Sequence, residues 1–212
     1  MNSIKKSEYD QILDKAGSIQ KKWREIPAPR RGEFLRVFGN QLRESQEDIA
    51  HCIMTDARKI RAEALGEVQE AIDMCDFAVG LSRQIYGLTI ASERPEHKLQ
   101  EAYHPIGVIG VITAFNFPCA VWAWNHCLSM VCGNSVVWKG SPKALNVTAA
   151  CKKAWDQAVL DCMPREGFED LLQLIDGHKV QAEWIADDSQ ISLLSATGST
   201  EMGKALAPRV AA

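Results

Sequence analysis

Polar residues that could bind a ligand follow two apolar, uncharged runs of the chain. The run 106–112 is rich in Val and Ile and continues into the sequence TAFNFP, which places Asn116 in front of an uncharged helical run. A second apolar run, 135–138, is followed by Lys139. If both runs are strands of an open parallel sheet, their carboxyl ends border one crevice, and such sheets bind ligands there. Asn116 and Lys139 are therefore expected to face the same site.

A third candidate segment is the sequence GSTEMG at 198–203, which follows a predicted buried strand and begins a helix. Free N–H groups at a helix N-terminus, a Ser hydroxyl and a Gly that permits close approach together favour phosphate binding. Ser or Thr before a helix is also an ordinary cap, so Ser199 has two interpretations. The sequence is neither GxGxxG nor GxxxxGK followed by Ser or Thr, which excludes the usual dinucleotide fingerprint and the P-loop.

The composition is that of an ordinary globular protein and argues against binding to nucleic acid or to a membrane. Hydrophobic residues make up 46%, charged residues 24%, and the net charge is −3, so nothing favours a nucleic acid or a membrane surface as partner. No residue from Ala102 to Trp138 is charged. Two prolines and several polar residues interrupt this run and no basic cluster flanks it. A strand–helix–strand unit buried on both faces therefore explains it better than a membrane span does.

The start of the chain and its cysteines indicate a cytoplasmic protein. The first ten residues contain no apolar segment of a secretory signal. The seven cysteines, an odd number, show no CxxC or mixed Cys/His spacing, which predicts reduced thiols and no metal site. Cys119, Cys127 and Cys132 lie on the predicted apolar helix and are expected to act as small hydrophobic residues, although a nucleophilic role for one of them stays open.

The order of elements predicts an α/β fold. Helices are expected over 7–25, 29–44, 47–57 and 60–86, and 87–103 reads as a hairpin or edge arm of the kind that pairs with another subunit. Strands over 106–112, 135–139, 171–175 and 191–195 then alternate with helices over 118–132, 144–160, 178–186 and from about 199. Such alternation predicts a Rossmann-like parallel sheet with flanking helices and right-handed crossovers.

The predicted organisation has three parts. Residues 1–86 are the helical part of a cofactor-binding domain, 87–103 is an oligomerisation arm, and 104–212 is an incomplete Rossmann-like core. No Gly, Asn or Pro ends the last helix before the sequence stops, so the chain is expected to be a fragment of a longer protein.

Three ordered motifs, FNFP at 115–118, WKGSP at 138–142 and ATGST at 196–200, resemble the N-terminal half of the aldehyde dehydrogenase superfamily. The segments IPAPRRGE at 26–33, GEVQE at 66–70 and AVGLSR at 78–83 are similar to its antiquitin branch, the α-aminoadipic semialdehyde dehydrogenases. The resemblance covers essentially the whole chain and is weakest over about 144–190. It implies a truncated aldehyde dehydrogenase fold, NAD as cofactor, a small-molecule aldehyde of lysine catabolism as substrate, and a homo-oligomer, dimer or tetramer, in the complete enzyme.

The resemblance also implies roles for individual residues. Asn116 matches the amide that holds the oxyanion of the tetrahedral intermediate, for which a neutral N–H donor at a strand end is suited. Lys139 matches the lysine at the adenosine ribose and Ser199 the serine at the pyrophosphate. The full cofactor-binding set is Thr113, Ala114, Phe115, Lys139, Gly140, Ser141, Gly198, Ser199 and Met202. The substrate set is Glu70, opposite the substrate's amino group, with Ala120 and Trp124 in the wall of the aldehyde tunnel.

Each assignment has a structural alternative. Asn116 could bond the adjacent turn, Lys139 could be solvated at a strand end, and Glu70 could be an exposed helix charge. The sequence also departs from the family pattern: Pro142 replaces a ribose-binding Glu, as in antiquitin-like sequences, DGHK at 176–179 replaces a Gly-rich turn, and Ala196 replaces a Phe beside the nicotinamide.

The resemblance further places the family's catalytic Cys and its general base beyond residue 212, so the chain alone is expected to be inactive. Two other functions stay open, a non-catalytic nucleotide-binding or interaction module and an FMN-binding, flavodoxin-like sheet.

Overall fold

The computed structural model describes residues 3–163 and 166–211, beginning with four helices. They are α1 (Lys6–Trp23), α2 (Ala28–Glu44), α3 (Gln46–Ala57) and α4 (Arg61–Leu81). Pro27 precedes α2 in an extended conformation, and Arg58 ends α3 with a left-handed φ of 58°. Helix α4 ends earlier than the predicted residue 86, because the Ser82 hydroxyl donates to the Val79 carbonyl and competes with further helical bonds.

The predicted arm is a hairpin of two very short strands. Strand β1 (Thr89–Ile90) pairs antiparallel with β2 (Leu99–Gln100), and all four residues are exposed. Glu96, in the segment between the two strands, has a left-handed φ of 59°.

The second half is a four-stranded parallel sheet with helices. Strands β3 (Val108–Ile112), β4 (Ser135–Lys139), β5 (Leu172–Leu174) and β6 (Ile191–Ala196) lie in the order β5-β4-β3-β6. Helices α5 (Ala120–Val131), α6 (Leu145–Cys162), α7 (Lys179–Asp187) and α8 (Thr200–Val210) alternate with them, and a short 3₁₀ helix, Phe168–Leu171, precedes β5. The predicted parallel sheet with flanking helices is confirmed.

Two details of the prediction were wrong, and one element was not predicted. Pro118 does not begin the helix, since Pro118 and Cys119 form a turn and α5 starts at Ala120. The 3₁₀ helix was not predicted. Strand β6 is not buried: its residues are half-buried or exposed, with Leu193 47% exposed. It is the edge strand of the described sheet, so only β3 covers one of its two sides.

Helix α5 is buried between the sheet and the N-terminal helices. On its sheet side, the Trp122 ring stacks on Trp138 of β4 with centroids 4.6 Å apart and planes 12° apart. Its C-terminal carbonyls accept hydrogen bonds from α1 and α2: Trp23 Nε1 donates to Met130 at 2.8 Å and Arg31 Nε to Val131 at 2.8 Å. The N-terminal helices therefore supply the hydrogen bonds that a buried helix end requires. Among the described helices, none is long and apolar enough to cross a membrane.

Candidate nucleotide and active site

The carboxyl ends of β3 and β4 open into a cavity of about 510 Å³. Five of the nine predicted cofactor-binding residues line it: Thr113, Lys139, Ser141, Ser199 and Met202. The strand ends are joined by backbone hydrogen bonds, with Thr113 N donating to Lys139 O at 3.2 Å and Thr197 N to Ile112 O at 2.9 Å. The structure thus brings three separate segments of the sequence to one cavity.

Lys139 is not a solvated lysine, because only 5% of the residue is exposed. Its Nζ donates one long hydrogen bond, 3.3 Å, to the carbonyl of Gly140. Burial lowers the pKa of the Lys139 ammonium, and the charge of Asp176 opposes that shift. A buried ammonium has three donors, so this group is able to bind an anionic or hydroxyl-rich ligand in the cavity.

Two neighbours of Lys139 have packing roles. The side chain of Trp138 donates to the Thr113 hydroxyl at 3.0 Å and so fixes the end of β3 against β4. Gly140 does not line the cavity; a Cβ there would lie 2.5 Å from the Thr148 hydroxyl of α6. Gly140 therefore permits the close approach of α6, and its contact with a cofactor stays a prediction.

Ser199 combines the two interpretations given to it. Its hydroxyl accepts from the Met202 N–H at 3.2 Å as the N-cap of α8, and the residue also borders the cavity. The capping interpretation is confirmed, while a phosphate role is compatible with the position. Gly198 is exposed outside the lining, and a Cβ there would lie 2.7 Å from the Met202 sulfur.

The departures from the family pattern lie at or near this cavity. Pro142 lines it, as do His178 and Lys179 from the turn that replaces a Gly-rich segment. The amide of His178 donates to Gln181 Oε1 at 2.9 Å, which shapes that turn at the start of α7. Ala196 is exposed at the end of β6.

Asn116 lies in an exposed loop between β3 and α5. Its side chain makes no hydrogen bond to any residue in the described ranges, so nothing there supports a purely structural role. Phe115 and Phe117 on either side are 46% and 43% exposed, and Ala114 is half-buried. The Lys59 ammonium lies 3.5 Å from the centre of the Phe117 ring. The loop therefore presents a free amide between two aromatic side chains.

Glu67 was quoted within a motif but not recognised as a site residue. Its side chain on α4 is 1% exposed, and Oε1 accepts from the backbone N–H groups of Cys119 at 2.8 Å and Ala120 at 3.2 Å. Oε2 forms an ion pair with Lys59 at 2.7 Å. The only sequence signal was an acidic residue in an otherwise apolar helix face.

The predicted substrate residues lie on α4 and α5, which pack together. Glu70 is half-buried and one helical turn beyond Glu67, so it lies on nearly the same face. Trp124 is 39% exposed, whereas Ala120 is fully buried and offers no surface to a substrate in this chain.

The cysteines have the properties of packing residues. Cys119 and Cys151 lie with sulfurs 3.7 Å apart, and Cys75 and Cys127 with sulfurs 3.6 Å apart, all four buried. A hydrogen bond to its partner thiol and burial both raise the pKa of Cys119, and the same causes raise that of Cys75. Nucleophilic thiols need the opposite shift. The described residues also contain no cluster of side chains suited to a metal ion.

Comparison with known proteins agrees with this architecture. The sequence profile of the aldehyde dehydrogenase family matches residues 1–212. The chain belongs to the aldehyde dehydrogenase family. It is 44% identical to aldehyde dehydrogenase family 7 member A1 of Malus domestica over 204 residues. The aligned region covers 96% of this chain and 39% of that protein. It is 41% identical over 201 residues to α-aminoadipic semialdehyde dehydrogenase of Bos taurus, covering 95% and 37%.

A solved structure shares the fold of this chain. Glyceraldehyde-3-phosphate dehydrogenase GapN from Methanocaldococcus jannaschii, complexed with NADP, superposes with a TM-score of 0.92 at 22% identity, covering 99% of this chain and 45% of that one. The chain therefore corresponds to about two fifths of the curated aldehyde dehydrogenases it matches.

Proposed function

We propose that this chain is the NAD-binding portion of an aldehyde dehydrogenase that oxidises an aldehyde to a carboxylic acid. The observation that carries the proposal is the cavity at the carboxyl ends of β3 and β4, with the buried ammonium of Lys139 between the capped N-terminus of α8 and the end of the sheet. This is the position in which open parallel sheets hold nucleotides. The name of the NADP-bound structural relative supports a nicotinamide dinucleotide, and NAD is the cofactor that the resemblance to antiquitin implies.

The lining residues fit such a cofactor. Lys139 has unused donors for ribose hydroxyls, and the N-terminus of α8 suits the negative charge of a pyrophosphate. When bound, the nicotinamide ring accepts the hydride that the aldehyde carbon loses. This chain holds the cofactor and excludes water with the apolar side chains of Ile112, Met202 and Leu206.

Asn116 is proposed to stabilise the oxyanion formed when a thiolate adds to the aldehyde. Its amide has no hydrogen-bond partner among the described residues, is exposed, and lies four residues after the buried end of β3, so it can donate where negative charge develops. The thiolate and the general base would come from the part of the complete enzyme outside these 212 residues. Burial and thiol pairing raise the pKa of Cys75 and Cys119, and burial raises the pKa of Cys52, Cys132 and Cys162. We also propose the division into 1–86, 87–103 and 104–212, with the hairpin as a subunit contact.

Titration of the purified chain with NAD tests the cofactor site. Lys139→Ala removes donors to the cofactor and should raise the Kd for NAD about ten- to a hundredfold. This factor corresponds to the loss of roughly 1.5–3 kcal/mol for a charged hydrogen bond. Lys153→Ala, at an exposed position on α6 away from the cavity, is the matched control. In the complete enzyme, Lys139→Ala should raise the apparent KM for NAD with little change in the rate of the chemical step. Equal NAD affinity in both variants would remove Lys139 from the site.

The substrate is proposed to carry an amino group, with α-aminoadipic semialdehyde as the leading candidate. Glu70 on α4 would pair with the substrate ammonium near the start of α5. In the complete enzyme, Glu70→Gln should lower catalytic efficiency for the amino-aldehyde about ten- to a hundredfold and spare a simple aldehyde such as hexanal. An equal loss for both substrates would make Glu70 a structural residue.

A non-catalytic nucleotide-binding unit is the second candidate for the chain taken alone, favoured by the unactivated thiols. Binding of NAD without aldehyde oxidation by the isolated chain, and oxidation by the longer enzyme, would support the first proposal. A yellow purified protein would instead indicate a flavin.

A further inference from the structure

The ion pair between Glu67 and Lys59 contacts the segment that follows Asn116. Glu67 accepts the backbone N–H groups of Cys119 and Ala120, the first donors of α5. The Lys59 ammonium lies over the ring of Phe117, the residue directly after Asn116, 3.5 Å from its centre. The two charges are joined at 2.7 Å, with side-chain exposures of 13% for Lys59 and 1% for Glu67. One buried group of atoms therefore fixes the residue next to Asn116 and the helix that follows it.

A helix cap alone does not explain this arrangement. A Ser, Thr or Asp at position 119 would cap α5 locally without burying a charge from another helix. The chain has Cys119 there, whose side chain makes no cap bond and instead contacts Cys151. A buried carboxylate carries a desolvation cost that only its partners offset, so such groups are weak evidence for stability. Stabilisation of α5 therefore does not explain why a buried carboxylate occupies position 67, because a local cap would stabilise the helix without the desolvation cost.

We propose that Glu67 and Lys59 are positioning residues that hold the Asn116 amide in place for the oxyanion. The inference rests on the proposed function of Asn116, because neither residue is expected to touch the substrate's carbonyl. Glu67 acts through the backbone of Cys119 and Ala120, and Lys59 through the Phe117 ring. A donor aimed at a developing oxyanion must lie within a few tenths of an ångström of its place, and a shift of about 1 Å can cost about a hundredfold in rate.

A double-mutant cycle in the complete enzyme separates positioning from general stability. Glu67→Gln keeps the size and a neutral acceptor but loses the charge that binds Lys59. It should lower kcat about tenfold and leave the KM for NAD unchanged. Introduced together with Asn116→Ala, it should cause no further loss, since the group it positions is already absent. Glu63→Gln, at an exposed position on the same helix, is the matched control and should leave kcat unchanged.

The outcomes distinguish this inference from the proposed function. An inactive wild-type enzyme would overturn the proposed function. If the wild type is active, the positioning role would be overturned by either of two results: Glu67→Gln leaves kcat unchanged, or it lowers kcat by the same factor with and without Asn116. Hydrogen exchange of the 212-residue chain gives a readout that needs no activity. The amides of Cys119 and Ala120 should exchange about tenfold faster in Glu67→Gln, because a neutral acceptor bonds more weakly than a carboxylate. Unchanged exchange at both amides would also overturn the inference.

Discussion

His126 should make the stability of this chain depend on pH near neutrality. It lies on α5 and is completely buried, stacked on Trp122 at 5.0 Å and edge-on to Trp155 at 4.5 Å. Neither ring nitrogen has a hydrogen-bond partner within the described parts of the chain. Burial, with a smaller contribution from the charge of Lys152, lowers the pKa of His126 to about 3. The folded chain therefore keeps this imidazole neutral.

The magnitude follows from the difference between the folded and unfolded pKa values. An unfolded His has a pKa of about 6.5, so below that pH the unfolded chain takes up a proton that the folded chain does not. The folded state accordingly loses stability as the pH falls from about 6.5 towards 3, at about 1.4 kcal/mol per pH unit. Between about pH 7.5 and pH 5.5, His126 should remove about 1.4 kcal/mol from the free energy of unfolding.

Urea unfolding at these two pH values, followed by tryptophan fluorescence, measures the effect. His126→Phe keeps an aromatic ring among Trp122, Trp155 and Phe38, and should abolish the loss of about 1.4 kcal/mol. His51→Gln changes an exposed residue of α3 and should retain the loss. A pH dependence identical in the wild type and His126→Phe would refute the reasoning, because it would show that His126 is protonated in the folded chain or hydrated there.

Two further matched pairs test the packing around the site. Arg31→Leu should cost about 2–4 kcal/mol in urea unfolding, because it leaves a buried carbonyl of α5 and a partly buried carbonyl before α2 without their donor. Arg30→Leu, at the exposed neighbouring position, should cost less than about 0.5 kcal/mol. Gly140→Ala should destabilise by about 1–3 kcal/mol through the clash with α6. Gly66→Ala, which meets open space within α4, should raise the melting temperature through a gain of about 0.5–1 kcal/mol.

The sequence predicted most of the fold because its signals are local. The apolar run 106–112 and the break at 27–29 each report on their own neighbourhood, and β3 and α2 lie where they indicate. The exposure of β6 could not be predicted in this way. Its composition is that of a buried strand, whereas its burial depends on what lies on the side away from β3.

The cavity could be predicted in part because two of its residues have local sequence signals. Lys139 and Ser199 come directly after strands, and strand ends in a parallel sheet share one edge, so their meeting at one cavity could be expected. The burial of Lys139, of which only 5% is exposed, was not predicted from the sequence. The contact of Glu67 with Cys119 joins residues 52 positions apart, and no periodicity within α4 reports such a contact. Contacts between elements distant in the sequence therefore cannot be predicted from local sequence patterns.

The hydrogen bonds at the C-terminal end of α5 also bear on how the chain folds. Gln20, Trp23 and Arg31 bond to carbonyls that lie 113, 107 and 100 positions later in the sequence. Loops of that length must close before these bonds form, and such topologies fold slowly. During synthesis the first helices leave the ribosome well before α5 exists, with apolar faces that as yet have nothing to cover them. The N-terminal helices of this chain are therefore expected to complete their packing only after α5 has been synthesised.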